Sequence, residues 1–207
     1  SKRLPGLCGR DPMMPAPLAG LTIGDIGCGA GIVTEPMSRL GADVLGIDAA
    51  ERNTLIAAHH AATTGAVVRY CCALPEDLVA EGRQFDIVLS LEVVEHVAHV
   101  PSFLKAVGSL VAPGGLLVIG TLNRTPMSYV KAIIGAEYIL GWMPKGTHDW
   151  RKFVTPGELN FHLSPLGFAI VEVRGVSPNP LTMHWKVGGS TDTTYLQVHR
   201  RQGAEAC

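Results

Sequence analysis

The chain has 207 residues, 47% of them hydrophobic and 17% charged, with a formal net charge of −1. That length supports one substantial core rather than two domains, and the apolar content excludes a disordered chain. So small a charge gives no bulk attraction to nucleic acid or anionic lipid. The five cysteines, Cys8, Cys28, Cys71, Cys72 and Cys207, form no C-x-x-C pair. They therefore read as free thiols of a reducing compartment, not as a disulfide framework or zinc site. No signal peptide is apparent, and no uncharged apolar run of about 18 residues is long enough to span a bilayer. The opening Ser1-Lys2-Arg3 reads as the continuation of a longer chain.

Residues 1–20 are rich in Pro, Gly and Met and are expected to be an irregular lead-in to one domain over 21–200, with 201–207 a tail. Leu21–Ile26 is a predicted strand that runs into a glycine cluster. Val33–Leu40 follows as a helix closed by Gly41, a residue suited to the left-handed cap. Val44–Ile47 is a second strand ending at Asp48, and Glu51–Thr64 an Ala-rich helix stopped by Gly65. Val67–Cys72 and Phe85–Leu91 are strands three and four, with a helix expected from about Val93. Val100–Val111 is helical and breaks at Pro113-Gly114-Gly115, after which Leu116–Thr121 is strand five. A helix over Pro156–Leu166 ends at Gly167, although Pro165 cuts into it. Phe168–Arg174 and Thr193–His199 are late strands joined without a full helix, which predicts an antiparallel hairpin at one sheet edge. The alternation implies an α/β doubly wound, Rossmann-like sheet of seven strands, mostly parallel, with the last antiparallel.

In such sheets the ligand sits beyond the C-terminal ends of the strands, where the loop Asp25-Ile26-Gly27-Cys28-Gly29-Ala30-Gly31 falls. Gly27, Gly29 and Gly31 permit a sharp turn and a close backbone approach. A dinucleotide fingerprint requires a third glycine where Ile32 stands, so the spacing fits a nucleoside joined to an amino acid, without a pyrophosphate. Asp48 is placed to accept hydrogen bonds from a ribose diol, and Asp25 to complement a cationic ligand. The plain alternative is a tight turn flanked by two solvated aspartates.

After strand four, Glu92, Glu95 and His96 stand at i, i+3 and i+4, one face of a helical turn. Two carboxylates and an imidazole suit a divalent cation; the same groups suit a general base, or a purely architectural cap. His59, His60 and His99 are expected in solvated or capping roles.

These residues resemble the ubiquinone-biosynthesis O-methyltransferases, class I enzymes that methylate polyprenyl catechols. The resemblance spans roughly residues 17–200. It rests on the glycine loop, Thr34-Glu35-Pro36-Met37, Gly46-Ile47-Asp48, Glu92-Val93-Val94-Glu95-His96-Val97 and Thr121-Leu122-Asn123-Arg124. Its most specific stretch is Gly135-Ala136-Glu137-Tyr138-Ile139-Leu140 with Pro144-Lys145-Gly146-Thr147-His148-Asp149-Trp150, and Asn179-Pro180 also fits. It implies S-adenosylmethionine as cofactor, contacted by Gly27, Asp48 and Leu91. It further implies a divalent metal, Mg²⁺ being the expected ion, on Glu92, Glu95 and His96. The family's upstream cofactor-contacting arginine has no counterpart at Arg3, which lies too close to the glycine loop.

A polyprenyl phenol substrate places the enzyme peripherally at a membrane, the bacterial inner membrane or the matrix face of the mitochondrial one, beside other ubiquinone-biosynthesis proteins. Thr125-Pro126 opens a helix well, and Met127, Val130, Ile133, Ile134 and Tyr138 continue as an apolar stripe, followed by Ile139, Leu140, Trp142 and Met143. That stripe suits a membrane interface or an active-site lid. Two other readings stay open: a methyltransferase of another small acceptor, and a non-catalytic subunit of a biosynthetic complex.

Overall fold

The computed structural model describes residues 3–129, 149–178 and 185–203. Its strands are β1 (Thr22–Ile26), β2 (Asp43–Asp48), β3 (Arg69–Cys72), β4 (Phe85–Leu91), β5 (Val111–Leu122), β6 (Phe168–Pro178), β7 (Trp185–Val187) and β8 (Thr194–Arg201). They form one sheet in the order β3-β2-β1-β4-β5-β8-β6-β7. The first five are parallel, and β8 runs antiparallel to both β5 and β6. The helices are α1 (Arg3–Leu7), α2 (Thr34–Arg39), α3 (Glu51–Thr64), α4 (Pro75–Ala80), α5 (Val100–Ser109), α6 (Pro126–Ser128) and α7 (Pro156–Leu163).

Successive side chains of a strand point to opposite faces, and here both faces are apolar, as a sheet covered on two sides requires. On one face Val88, Leu117 and Ile119 pack with Leu78 of α4, Leu104 and Val107 of α5, and Leu159 and Leu163 of α7. On the other, Ile23, Val44, Leu89 and Val118 pack with Leu18 and Met37, and Leu4 and Leu7 of α1 lie against them. Gly65 caps α3 at φ 68°, as its place in the sequence predicts.

Several boundaries differ from expectation. The sheet has eight strands, the extra one being the three-residue β7 that pairs with the end of β6. The two late strands, β6 and β8, do form the expected antiparallel pair at one end of the sheet, with β8 the inner of the two: it also pairs with β5 from Leu122↔Thr194 to Leu116↔Arg200. The long apolar β5 thus gains a neighbour on each side. β5 already begins at Val111 and runs through Pro113-Gly114-Gly115, where its register against β4 is irregular. Part of the lead-in is helical, because Leu4 and Leu7 reach the second core. Pro165 does end the late helix: α7 stops at Leu163, a 3₁₀ turn covers Ser164–Leu166, and Gly167 follows at φ 82°. The stripe from Val130 to Met143, and the Asn179-Pro180 match, lie outside the described residues. The start before the stripe is capped as expected, with Thr125 accepting from the Ser128 N–H and Pro126 at the first helical position. No helix among the described residues is long and apolar enough to cross a membrane.

Candidate active site

Because β1, β2, β4 and β5 run parallel, the segments that follow them gather at one edge of the sheet. Strand order reverses between β1 and β4, the crevice where doubly wound folds bind ligands. The segment after β1 crosses the end of β2. The Gly27 and Cys28 N–H groups both donate to the Ile47 carbonyl, at 2.7 and 3.0 Å, and the Gly31 N–H donates to the Cys28 carbonyl at 2.9 Å. Gly27, Gly29 and Gly31 have φ of 75°, 53° and 81°, the left-handed region that glycine enters without a Cβ penalty. The three are not equivalent. A Cβ on Gly27 would lie 2.3 Å from Val93 Cγ2, and one on Gly31 2.3 Å from the Tyr70 hydroxyl. Around a Cβ on Gly29 nothing lies within 4 Å.

Asp48 stands at the strand end the sequence assigned it, and it also binds the loop. Its Oδ2 accepts from the Gly29 N–H at 3.0 Å, and its Oδ1 accepts from the Ala50 N–H at 2.9 Å and from Asn53 Nδ2 at 3.1 Å. A carboxylate offers about four acceptor positions, so the freer oxygen for an incoming hydroxyl is Oδ2. Asp25 is buried, and Thr34 Oγ1 donates to it at 2.6 Å, joining β1 to the start of α2. Burial, with the Asp48 charge adding to it, pushes the Asp25 carboxyl up to about 6. Leu91 ends β4, half-buried, beside Gly120 of β5.

The acidic corner after β4 departs from its expected geometry. Glu92 has φ 57°, the one non-glycine residue with positive φ among the described residues, and it interrupts the backbone before any helix starts. Only a single 3₁₀ turn, Val94–His96, follows. With three residues per turn, neighbouring side chains diverge by about 120°. Glu95 therefore turns inward and is buried, while His96 is exposed. Among the described residues no three His, Cys, Asp or Glu side chains come together as a metal site, so the expected Glu92–Glu95–His96 face is not formed.

The two carboxylates do meet. Removal from water and then the Glu95 charge push the Glu92 carboxyl up to about 7, even though much of the residue's surface is exposed. Glu95 Oε2 accepts from Thr121 Oγ1 at 2.9 Å, and its buried Oε1 has no hydrogen-bond partner among the described residues. An oxygen left so is costly unless a proton, water or cation reaches it.

Val93 lies between Glu92 and the 3₁₀ turn and packs against Gly27, so the acidic corner and the glycine loop touch. Beyond the turn a cavity of about 290 Å³ opens, with Val94, Val97 and Phe153 on its apolar side and Arg124, Lys152 and His162 on its polar side. Arg124 pairs with Glu158 of α7, which also accepts from the Thr155 N–H at 2.8 Å. Thr121 and Arg124 belong to a run that carries the family resemblance, which assigns neither a role, and Lys152 and His162 have no spacing signal in the sequence. His99 caps α5, accepting from the Ser102 N–H, and His60 lies 2.5 Å from Glu35, tying α3 to α2. Arg3 pairs with Glu172 of β6, away from the loop.

A family profile described as "Methyltransferase domain" matches residues 10–173. The fold resembles that of magnesium protoporphyrin IX methyltransferase from Synechocystis PCC 6803 with bound SAH. That match has a TM-score of 0.65 at 22% identity, over 89% of this chain and 75% of the other. It also resembles an S-adenosylmethionine-dependent methyltransferase from Mesorhizobium loti, with a TM-score of 0.63 at 23% identity over 97% and 98% of the two chains. Fold and loop together define a class I, S-adenosylmethionine-dependent methyltransferase. The ubiquinone biosynthesis O-methyltransferase of Methylobacterium sp. (strain 4-46) is 47% identical over 95% of this chain and 79% of its own length. That of Roseobacter denitrificans is 53% identical over 87% and 73%. The chain belongs to the ubiquinone biosynthesis O-methyltransferase family.

Proposed function

We propose that this enzyme transfers the sulfonium methyl of S-adenosylmethionine to a phenolic hydroxyl of a polyprenyl catechol-type intermediate in ubiquinone biosynthesis. The observation that carries the reading is the contact between Val93 and Gly27, which sets the Glu92–Glu95 pair against the cofactor loop. The names of the relatives supply the pathway and an oxygen as the methyl acceptor.

The residues present fit the cofactor. Gly29 leaves open space over its α-carbon, Asp48 Oδ2 can accept from a ribose hydroxyl, and the buried Asp25 supplies a negative field for a cationic ligand. The cofactor brings an electrophilic methyl. The phenolic oxygen forms the new C–O bond as the C–S bond breaks, sulfur keeps the bonding pair, and the phenol's proton must leave. Glu92, exposed beside the loop, is placed to take that proton, while Thr121 fixes Glu95 behind it. The cavity bounded by Val94, Val97 and Phe153 would hold the aromatic acceptor and exclude water around it.

A divalent cation such as Mg²⁺ fits the same two carboxylates, since Glu95 Oε1 is buried without a partner and the like charges oppose each other. Glu92 and Glu95 would hold it, with His96 joining only if the turn rearranges. When bound, it would lower the pKa of a coordinated phenol. We further propose a peripheral position at the membrane that holds the prenyl tail, in the bacterial cytoplasm or on the mitochondrial matrix face, among the pathway's other proteins. Co-sedimentation with liposomes tests that placement. Methyl transfer from labelled cofactor to a short-chain prenyl catechol, with and without chelator, tests the reaction: transfer to the catechol supports the reading, and binding without transfer opposes it.

A further inference from the structure

We infer that Tyr70 of β3 is a positioning residue for the cofactor, a prop that reaches across β2 and fixes the glycine loop from beneath; the inference rests on that loop being the cofactor's seat. Asp25, Gly46 and Tyr70 are in register across β1, β2 and β3, so their side chains share one face of the sheet. The middle residue has no side chain, and the tyrosine ring occupies the vacated space. A Cβ on Gly46 would lie 2.4 Å from Tyr70 Cδ1 and 2.6 Å from Cε1, with Cys28 Sγ at 3.1 Å. The ring thus bridges the central row of the sheet and touches the loop's own cysteine.

Its far end meets the loop again. The Tyr70 hydroxyl would lie 2.3 Å, and Cζ 3.2 Å, from a Cβ on Gly31, with Ala57 of α3 behind at 3.4 Å. Gly31 is the hinge of this region: its N–H closes the loop on the Cys28 carbonyl, and its carbonyl accepts from the Glu35 N–H to begin α2. The hydroxyl is buried near Thr34, the first residue of α2, and the phenolic oxygen is the atom that meets Gly31. A shift of the ring would carry Gly31 and Cys28 with it, and hence the Gly29 N–H that Asp48 holds.

The test is calorimetric titration with S-adenosylhomocysteine, paired with steady-state kinetics. Tyr70→Ala should weaken binding by about tenfold or more while kcat at saturating cofactor falls less than about threefold, as expected of a group that places the cofactor. Tyr70→Phe keeps the ring over Gly46 and loses the hydroxyl that meets Gly31 and Thr34, so its affinity should lie between wild type and Tyr70→Ala. Gly46→Ala should weaken binding by displacing the ring, and adding Tyr70→Leu to it should recover part of that loss. Simple multiplication of the two single losses would overturn the inference. So would a folded Tyr70→Ala that binds within about twofold of wild type, or equal losses in affinity and kcat. Should Tyr70→Ala fail to fold, Tyr70→Leu serves in its place. Gly29→Ala is the control: if it too binds normally, the seat itself has been misassigned. If it loses binding while the Tyr70 variants do not, only the prop is refuted.

Discussion

Gly27 and Gly29 are two residues apart, both at positive φ, and alanine should fail at them for different reasons. At Gly27 the new Cβ enters at 2.3 Å from Val93 Cγ2, on a β-branched side chain with little rotamer freedom. Left-handed strain of about 1–2 kcal/mol adds to overpacking of about 1–3 kcal/mol, so Gly27→Ala should lose roughly 2–5 kcal/mol of stability. At Gly29 the Cβ meets nothing within 4 Å, and only the conformational penalty of about 1–2 kcal/mol remains. For a chain of this size each kcal/mol lowers Tm by roughly 2–4 °C. Thermal unfolding and titration with S-adenosylhomocysteine separate the two. Gly29→Ala should stay folded with a slightly lower Tm and lose cofactor affinity heavily, because the open space over its α-carbon is where the ligand approaches. Gly27→Ala should be the less stable protein, and Val93→Ala in the same chain should return part of the loss. A Gly29→Ala protein that unfolds as easily as Gly27→Ala, or that binds the ligand like wild type, would refute this division of labour.

Asp48→Ala should weaken cofactor binding by about 1.5–3 kcal/mol and also free the Gly29 N–H, so calorimetry should find part of the loss restored in Asp48→Asn. His199 is fully buried with neither ring nitrogen bonded among the described residues, and burial lowers it to about 4. Its folded value lies below the ordinary 6.5, so stability should fall as pH drops from about 6.5 to 4, by about 3 kcal/mol at most. His199→Leu should flatten that part of the denaturation profile; an unchanged acid slope would assign it elsewhere. Glu92→Gln removes the proposed base and should lower kcat by roughly 10²–10⁴-fold, while Thr121 still holds Glu95 in place. Recovery of its rate by added Mg²⁺ would show that the lost charge held a cation, and no recovery would show that it served the proton.

What the sequence revealed follows from the range of the signals. The glycine spacing, Asp48 at the end of β2 and the Glu51–Thr64 helix stopped by Gly65 are local features, and each lies where the residues put it. α4 was missed because its six residues make too few turns for a period to show, although Pro75 at the first position and Asp77 bonding back to Leu74 mark its start. The helical face assumed for Glu92, Glu95 and His96 failed on one dihedral. A glutamate at φ 57° has no sequence signature, and it changes which side chains share a face. The place of β8 between β5 and β6 is set by pairing between residues about 70–90 positions apart, beyond any local pattern. Tyr70 under the glycine loop was illegible for the same reason: β3 meets the loop only once β2 lies between β1 and β3.

The most direct measurement of the central claim is product analysis with cofactor carrying a ¹³C-labelled methyl and a short-chain prenyl catechol as acceptor. Wild-type protein should give one new aryl O–¹³CH₃ ether per S-adenosylhomocysteine formed, and Gly29→Ala should give none. Label appearing on carbon or nitrogen, or cofactor that binds and is never consumed in the presence of the catechol, would contradict that claim.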